Sequence, residues 1–325
     1  MGIEIIKPGI LSTLQGPARA GFRYMAIGTG GAMDAFAWDV GNSLVGNDTP
    51  QVSLEFFHPG PVLRFHEAAL FSITGPGCSG ILNGIPVPGW HPVVAEAGAI
   101  LELPPSTSGR CGYIAIHGGF GSDEFLGSGS TCLAAGAGGF RGRKLIAGDL
   151  LERNTQTPQH HTGLVHKWSV PERDIMLVYG REKHISCLEA PETGLLGVQA
   201  RQDFSLQSWS VSAASNRMGY RLQGTAIKPE LSIELVSSPV DRGTVQLLPD
   251  GQLIVLMADH QTTGGYPRIG SVVRADLPRL VQAVTGLQIF FAWSSPATAA
   301  RLRKDQTRRL AAIRSACLLN IKRYL

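Results

Sequence analysis

Residues 260–267, His-Gln-Thr-Thr-Gly-Gly-Tyr-Pro, bring an imidazole, an amide, two hydroxyls, a phenol and two adjacent glycines into one short stretch. Gln261, Thr262 and Thr263 offer hydrogen-bond donors and acceptors. Gly264 and Gly265 let backbone N–H groups approach a carbonyl or carboxylate closely. Tyr266 adds a stacking face with a phenol, and Pro267 stiffens the exit. His260 can act near neutral pH as a donor or a general base. Upstream, Arg217 is suited to grip a carboxylate through both arms of its guanidinium, with Tyr220 and Arg221 in support. The chemistry these groups suit is gripping a carboxylate and approaching a carbonyl with hydrogen-bond donors. They also have a plain structural reading, a conformationally demanding turn after a strand start.

Other chemistries lack an anchor. There is no Gly-Lys dipeptide and so no phosphate loop of the Walker type, no GxSxG nucleophile elbow and no HExxH. The glycine-rich run 136–142 misses the dinucleotide fingerprint by one residue. His160, His161 and His166 have no acid at fixed spacing; they read as an exposed connector, and no metal site is expected. Residues 301–325 carry eight basic side chains against Asp305, a net +7. The chain as a whole carries +4, which leaves −3 for residues 1–300 and no basic body to track nucleic acid. The N-terminal segment has no signal-peptide pattern, and apolar runs such as 253–258 are far too short for a membrane span. Five widely spaced cysteines without a CxxC pair read as reduced thiols, so the expected compartment is the cytoplasm.

Forty glycines and 20 prolines spread through 325 residues point to many short strands joined by tight turns. Strands are expected at 52–57, 62–65, 69–73, 100–103, 113–116, 174–180, 206–211, 231–236, 244–248, 253–258 and 287–293, with a hairpin turn at 249–252. Helices are expected at 33–45, at 276–284 with Asp276 as N-cap, and from Pro296 to about Leu319. Strands and helices do not alternate, which argues against a parallel βαβ sheet and for a mainly β, barrel-like fold. The polar stretch 153–167 marks a connection, giving an N-terminal β domain over 1–165 and a second over 166–325.

The blocks SNRMGYRLQG (215–224) and GTVQLLPDGQLIVLMADHQTTGGYPRIGSVVRADL (243–277) resemble the signature stretches of the carboxyltransferase subdomain A/B family, typically SDRMGYRL, GTIQVPPDGQPIVLLADRQTTGGYPKI and ADLPRL. Looser likeness runs through 3–15, 30–47 and 126–151. The resemblance implies a pair of mostly antiparallel β domains, one a cyclophilin-like barrel ending in a helix. It also implies a partner chain of the carboxyltransferase C/D type (KipI-like), with a LamB/YcsF-type protein as a further candidate. Family members occur in 5-oxoprolinase, in urea carboxylase and in the Kip sporulation-kinase inhibitor pair. The leading expectation is therefore a 5-oxoprolinase component acting with ATP through its complex. A biotin-dependent carboxyltransferase acting on a urea-like amide, or a non-catalytic regulatory module, are the alternatives. Four positions depart from the family wording: Gly16-Pro17-Ala18 lose an acid, Gly129 an arginine, Asn216 an acid and His260 an arginine.

Overall fold

The structure is a computed structural model and describes residues 2–155, 168–180, 183–228 and 235–321. The histidines at 160, 161 and 166, and residues 231–234 of the run at 231–236, lie outside these. The described chain is mainly β and resolves into two compact units whose segments interleave in sequence. One unit comprises Met1–Arg19, Asp34–Leu177 and Arg308–Leu325; the other comprises Ala20–Met33 and Val178–Thr307.

In the first unit, a six-stranded sheet runs in the spatial order Leu150–Leu151, Ile3–Lys7, Val62–Phe65, Ile100–Glu102, Gly80–Leu82, Ile85–Val87. A five-stranded sheet runs Leu11–Gln15, Ser53–Phe57, Cys111–Ile116, Ala69–Thr74, Pro92–Ala95. All the strand pairs in both are antiparallel, and alternate residues of each, such as Ile3, Ile5 and Phe65 with Leu54, Phe56 and Ile114, share one apolar core. The helix Ala35–Leu44 is capped by Asp34, whose carboxylate accepts from Ala37 N at 3.1 Å. It lies against the five-stranded sheet, where Ser72 and Thr74 hydroxyls donate to the carbonyls of Gly41 and Ala37. A Cβ at position 41 would stand 2.9 Å from the Thr74 hydroxyl, so glycine permits this contact.

The second unit is a closed seven-stranded barrel. Its order is His184–Leu188, Arg268–Val272, Thr244–Leu247, Leu253–Leu256, Gly219–Gln223, Trp209–Val211 and Gln288–Trp293. Every pairing is antiparallel except the one between His184–Leu188 and Gln288–Trp293, which closes the barrel in parallel. Closure leaves the barrel no free sheet edge. Phe204, on a helix Val198–Leu206, stacks on Phe291 with ring centroids 4.7 Å apart.

The expected strand at 174–180 is instead the helix Glu172–Tyr179. Its apolar run suggested a strand, but Pro171 just before it and Glu172 and Asp174 in its first turn favour a helix N-terminus. Of this helix only Val178 is buried. At 206–211 only Trp209–Val211 is strand, because Leu206 ends the preceding helix. Asp276 stands at the N-cap of Leu277–Val281 without capping it; its carboxylate accepts from Ser186 N at 2.8 Å and pairs with Arg279. The last helix, Pro296–Ile321, buries Ile313, Cys317 and Ile321 on one stripe, and Arg314 pairs with Asp39 within the first unit. No helix among the described residues is long and apolar enough to cross a membrane.

Candidate functional site

The two sequence blocks singled out above meet in the barrel unit because Gly219–Gln223 pairs with Leu253–Leu256 in the register Tyr220↔Val255. Leu253–Leu256 in turn pairs with Thr244–Leu247 in the register Val245↔Val255. Beside these strands lies a cleft of about 500 Å³ lined by Asn216, Met218, Arg221, Gln246, Asp250, Ile254, Gln261 and Tyr266, among others. This is ample volume for a small metabolite.

Arg217 sits beneath this arrangement and does not line it. Its side chain is 4% exposed, and Nε and Nη2 donate to the two carboxylate oxygens of Asp259 at 2.7 and 3.0 Å. Nη2 also donates to Gly31 O at 2.8 Å, and Asp259 N donates back to Arg217 O. The carboxylate that the guanidinium grips is thus one of the protein's own. Arg217 ties the turn at 215–218 to the turn at 257–261, so it positions the cleft walls.

From 260 to 263 the residues alternate between interior and surface, which divides the expected site residues. Gln261 and Thr263 are exposed; His260 and Thr262 are buried. Thr262 O accepts from Val240 N, while Thr263 joins a short bridge to Pro239. Gln261 and Tyr266 reach the cleft, and Arg221 joins them from the neighbouring strand. Arg221 is exposed and forms no ion pair with the described residues. Tyr220 belongs to the interior: it is fully buried and its hydroxyl donates to Val281 O at 2.7 Å. Gly264 stands against the cleft wall, where a Cβ would lie 2.7 Å from Gln246 Nε2; Gly265 turns in an exposed position.

His260 is likewise an interior group. Its ring is wholly buried, Nδ1 lies 2.6 Å from Gln261 O, and Nε2 is 3.9 Å from Asp241. Burial holds it below the ordinary histidine range, against the Gln261 carbonyl and Asp241, which favour protonation, and with Arg23 and Arg242, which oppose it. The unfolded chain takes up this proton near pH 6.5, whereas the folded chain does so only at lower pH. Its contribution to stability is therefore fully present above about pH 6.5 and is lost as the pH falls below that value. His58 carries the same sign in the first unit, again through burial. His260→Gln should reduce the drop in urea midpoint between pH 7.5 and pH 5.5, which equilibrium unfolding at the two pH values would measure.

Sequence reasoning did not single out Met218, Gln246 and Asp250, and it marked Asn216 only as a departure from the family wording. Gln246 left a signal, as a lone amide inside the apolar strand Thr244–Leu247. Asn216 is held by an Asx turn, its side-chain oxygen accepting from Met218 N at 2.8 Å.

A closed β-barrel with a cleft beside its strands, joined in one chain to a two-sheet unit, defines a mainly β protein whose barrel carries a cleft of small-molecule size. The profile of the carboxyltransferase domain, subdomain A and B, matches residues 25–293, and the chain belongs to that family. It is 36% identical to a 5-oxoprolinase subunit of Escherichia coli (strain K12), across 94% of this chain and 96% of that protein. It is 29% identical to a putative urea carboxylase of Emericella nidulans, across 97% of this chain but 26% of the relative. The crystal structure of the K. lactis urea amidolyase superposes with a TM-score of 0.88 at 25% identity; the match covers 96% of this chain and a fifth, 20%, of that enzyme.

Proposed function

We propose that this chain is a subunit of an ATP-dependent 5-oxoprolinase that opens 5-oxo-L-proline to L-glutamate together with a partner of the carboxyltransferase C/D type. The observation that carries this reading is the near end-to-end match to a 5-oxoprolinase subunit, combined with a cleft whose groups suit such a ligand. 5-Oxoproline is a small ring with one carboxylate and one lactam. Arg221 is the cleft's cation for the carboxylate, and the amides of Gln246 and Gln261 suit the lactam N–H and C=O. Tyr266 offers a face for the ring.

The cleft does not fit a nucleotide. Among the described residues Arg221 is its single cationic lining residue, with Asp250 sharing the space, so a triphosphate would meet one positive and one negative side chain from these. Nucleotide binding therefore falls to the partner, and a LamB/YcsF-type protein is a further candidate member of the assembly. Cytoplasmic residence follows from the same reading.

A second reading is favoured by the backbone likeness to the urea amidolyase: the same cleft would then serve carboxyl transfer from carboxybiotin to a urea-like amide. Omission from a reconstituted complex decides between them. The expected result is ATP-dependent glutamate release from 5-oxoproline that disappears when this chain is left out. Turnover unchanged by the omission would refute the proposed role. Carboxylation of a urea-like amide, with no glutamate release, would establish the second reading.

A further inference from the structure

Gln246 is completely buried on the barrel strand Thr244–Leu247, yet its side chain borders the cleft. One end of its amide is spoken for: Nε2 donates to Tyr266 O, at 3.4 Å. The other end, Oε1, has no hydrogen-bond partner among the described residues. The orientation is fixed by chemistry, since the reversed amide would set its oxygen against the Tyr266 carbonyl, two acceptors facing each other. A buried acceptor left unpaired is destabilising, and such groups concentrate where a ligand completes them. Gly264 keeps this amide in place, because any side chain there would begin 2.7 Å from Nε2.

From this geometry we infer that Gln246 is a specificity-determining residue of the cleft, accepting a hydrogen bond from a ligand N–H. The inference rests on the reading of the cleft as a carboxylated-amide site and narrows it. The ligand must present a secondary-amide or ureido N–H to Oε1 while its anionic end faces Arg221. A ring ester of the same shape would set its ring oxygen, an acceptor, against Oε1. An N-alkylated lactam would carry a methyl group into the same contact. Sites built around a ligand donor discriminate strongly against analogues that lack it, because their own buried polar group is then left unpaired.

The test compares three carboxylates on the purified full chain by ligand-observed NMR: 5-oxoproline, its N-methyl derivative and the corresponding five-membered lactone. The wild-type chain should bind the lactam about 10- to 100-fold more tightly than either analogue. Gln246→Met should bind all three alike; it removes the unpaired acceptor and also gives up the Nε2 bond to Tyr266 O, so its melting temperature is measured beside the wild type to show that it is folded. The comparison on the wild-type chain needs no variant to fold. Equal binding of lactam and lactone would overturn the inference, and so would discrimination that survives in Gln246→Met. Binding of none of the three would also overturn it. In each case glutamate release by the reconstituted complex remains the separate test of the broader reading.

Discussion

Arg217→Ala should lower the stability of the barrel unit by about 3 kcal/mol, the usual consequence of stripping one partner from a buried ion pair. For a unit of this size that corresponds to a fall of roughly 6–12 °C in melting temperature. The reason is geometric. Removing the guanidinium leaves the Asp259 carboxylate, only 19% exposed, without either of its charge-assisted bonds, and frees Gly31 O as well. Arg217→Lys should restore only part of the loss, because an ammonium cannot donate through two parallel arms to one carboxylate. The double variant Arg217→Ala with Asp259→Ala should cost less than the sum of the two single changes, since neither charge is then stranded. Calorimetric unfolding of the four variants beside the wild type measures this. A single variant with unchanged stability would show that the pair does not hold the two turns together.

Arg221→Ala and Gln261→Ala should have the opposite profile. Both side chains are exposed, so melting temperature should stay within about 2 °C, as is usual for surface substitutions. Ligand affinity should fall steeply. Loss of the cation that pairs with the ligand carboxylate should weaken 5-oxoproline binding by about 100-fold, the scale of a bidentate charge-assisted contact. Gln261→Ala, which removes a neutral hydrogen bond, should weaken it by about tenfold. Isothermal titration on folded variants gives both numbers. The contrast matters because Arg217 and Arg221 lie only four residues apart. One should be a stability residue with an indirect effect on binding, the other a binding residue with almost none on stability.

That division was not legible in the sequence. Arg217, Tyr220 and Arg221 read as one cluster, and only strand pairing separates them. Tyr220 points into the barrel, Arg221 points out, and Arg217 finds an acid 42 residues away. The same holds for His260, whose chemistry suggested a catalytic group until the alternation along 260–263 placed it in the interior beside the exposed Gln261. Gln246 escaped notice for a complementary reason. A buried amide in an apolar strand is evident in the sequence only as a mild irregularity, and its meaning depends on which of its atoms are paired.

The elements themselves were easier. Runs such as 69–74 and 253–256 are mostly apolar, β-branched or aromatic, with a glycine near one end, so local composition and the final fold agree. The exception is Glu172–Tyr179, where a run of four apolar residues outweighed the proline and acids ahead of it. The parallel pairing of His184–Leu188 with Gln288–Trp293 joins segments about a hundred residues apart, and no local signal encodes it. The cleft inherits this property: its walls come from 214–221, 246–254 and 261–266, brought together by register.

The most direct test of the account uses the methionines. There are six, and of these Met218 lines the cleft while Met33 and Met257 are buried in the barrel unit and Met176 stands on the helix Glu172–Tyr179. With methyl-labelled methionine in the full chain, titration with 5-oxoproline should shift the Met218 resonance in a saturable way and leave Met176 unmoved. Saturable binding that leaves Met218 in place, or that moves Met176 instead, would put the ligand elsewhere and contradict the assignment of the barrel cleft.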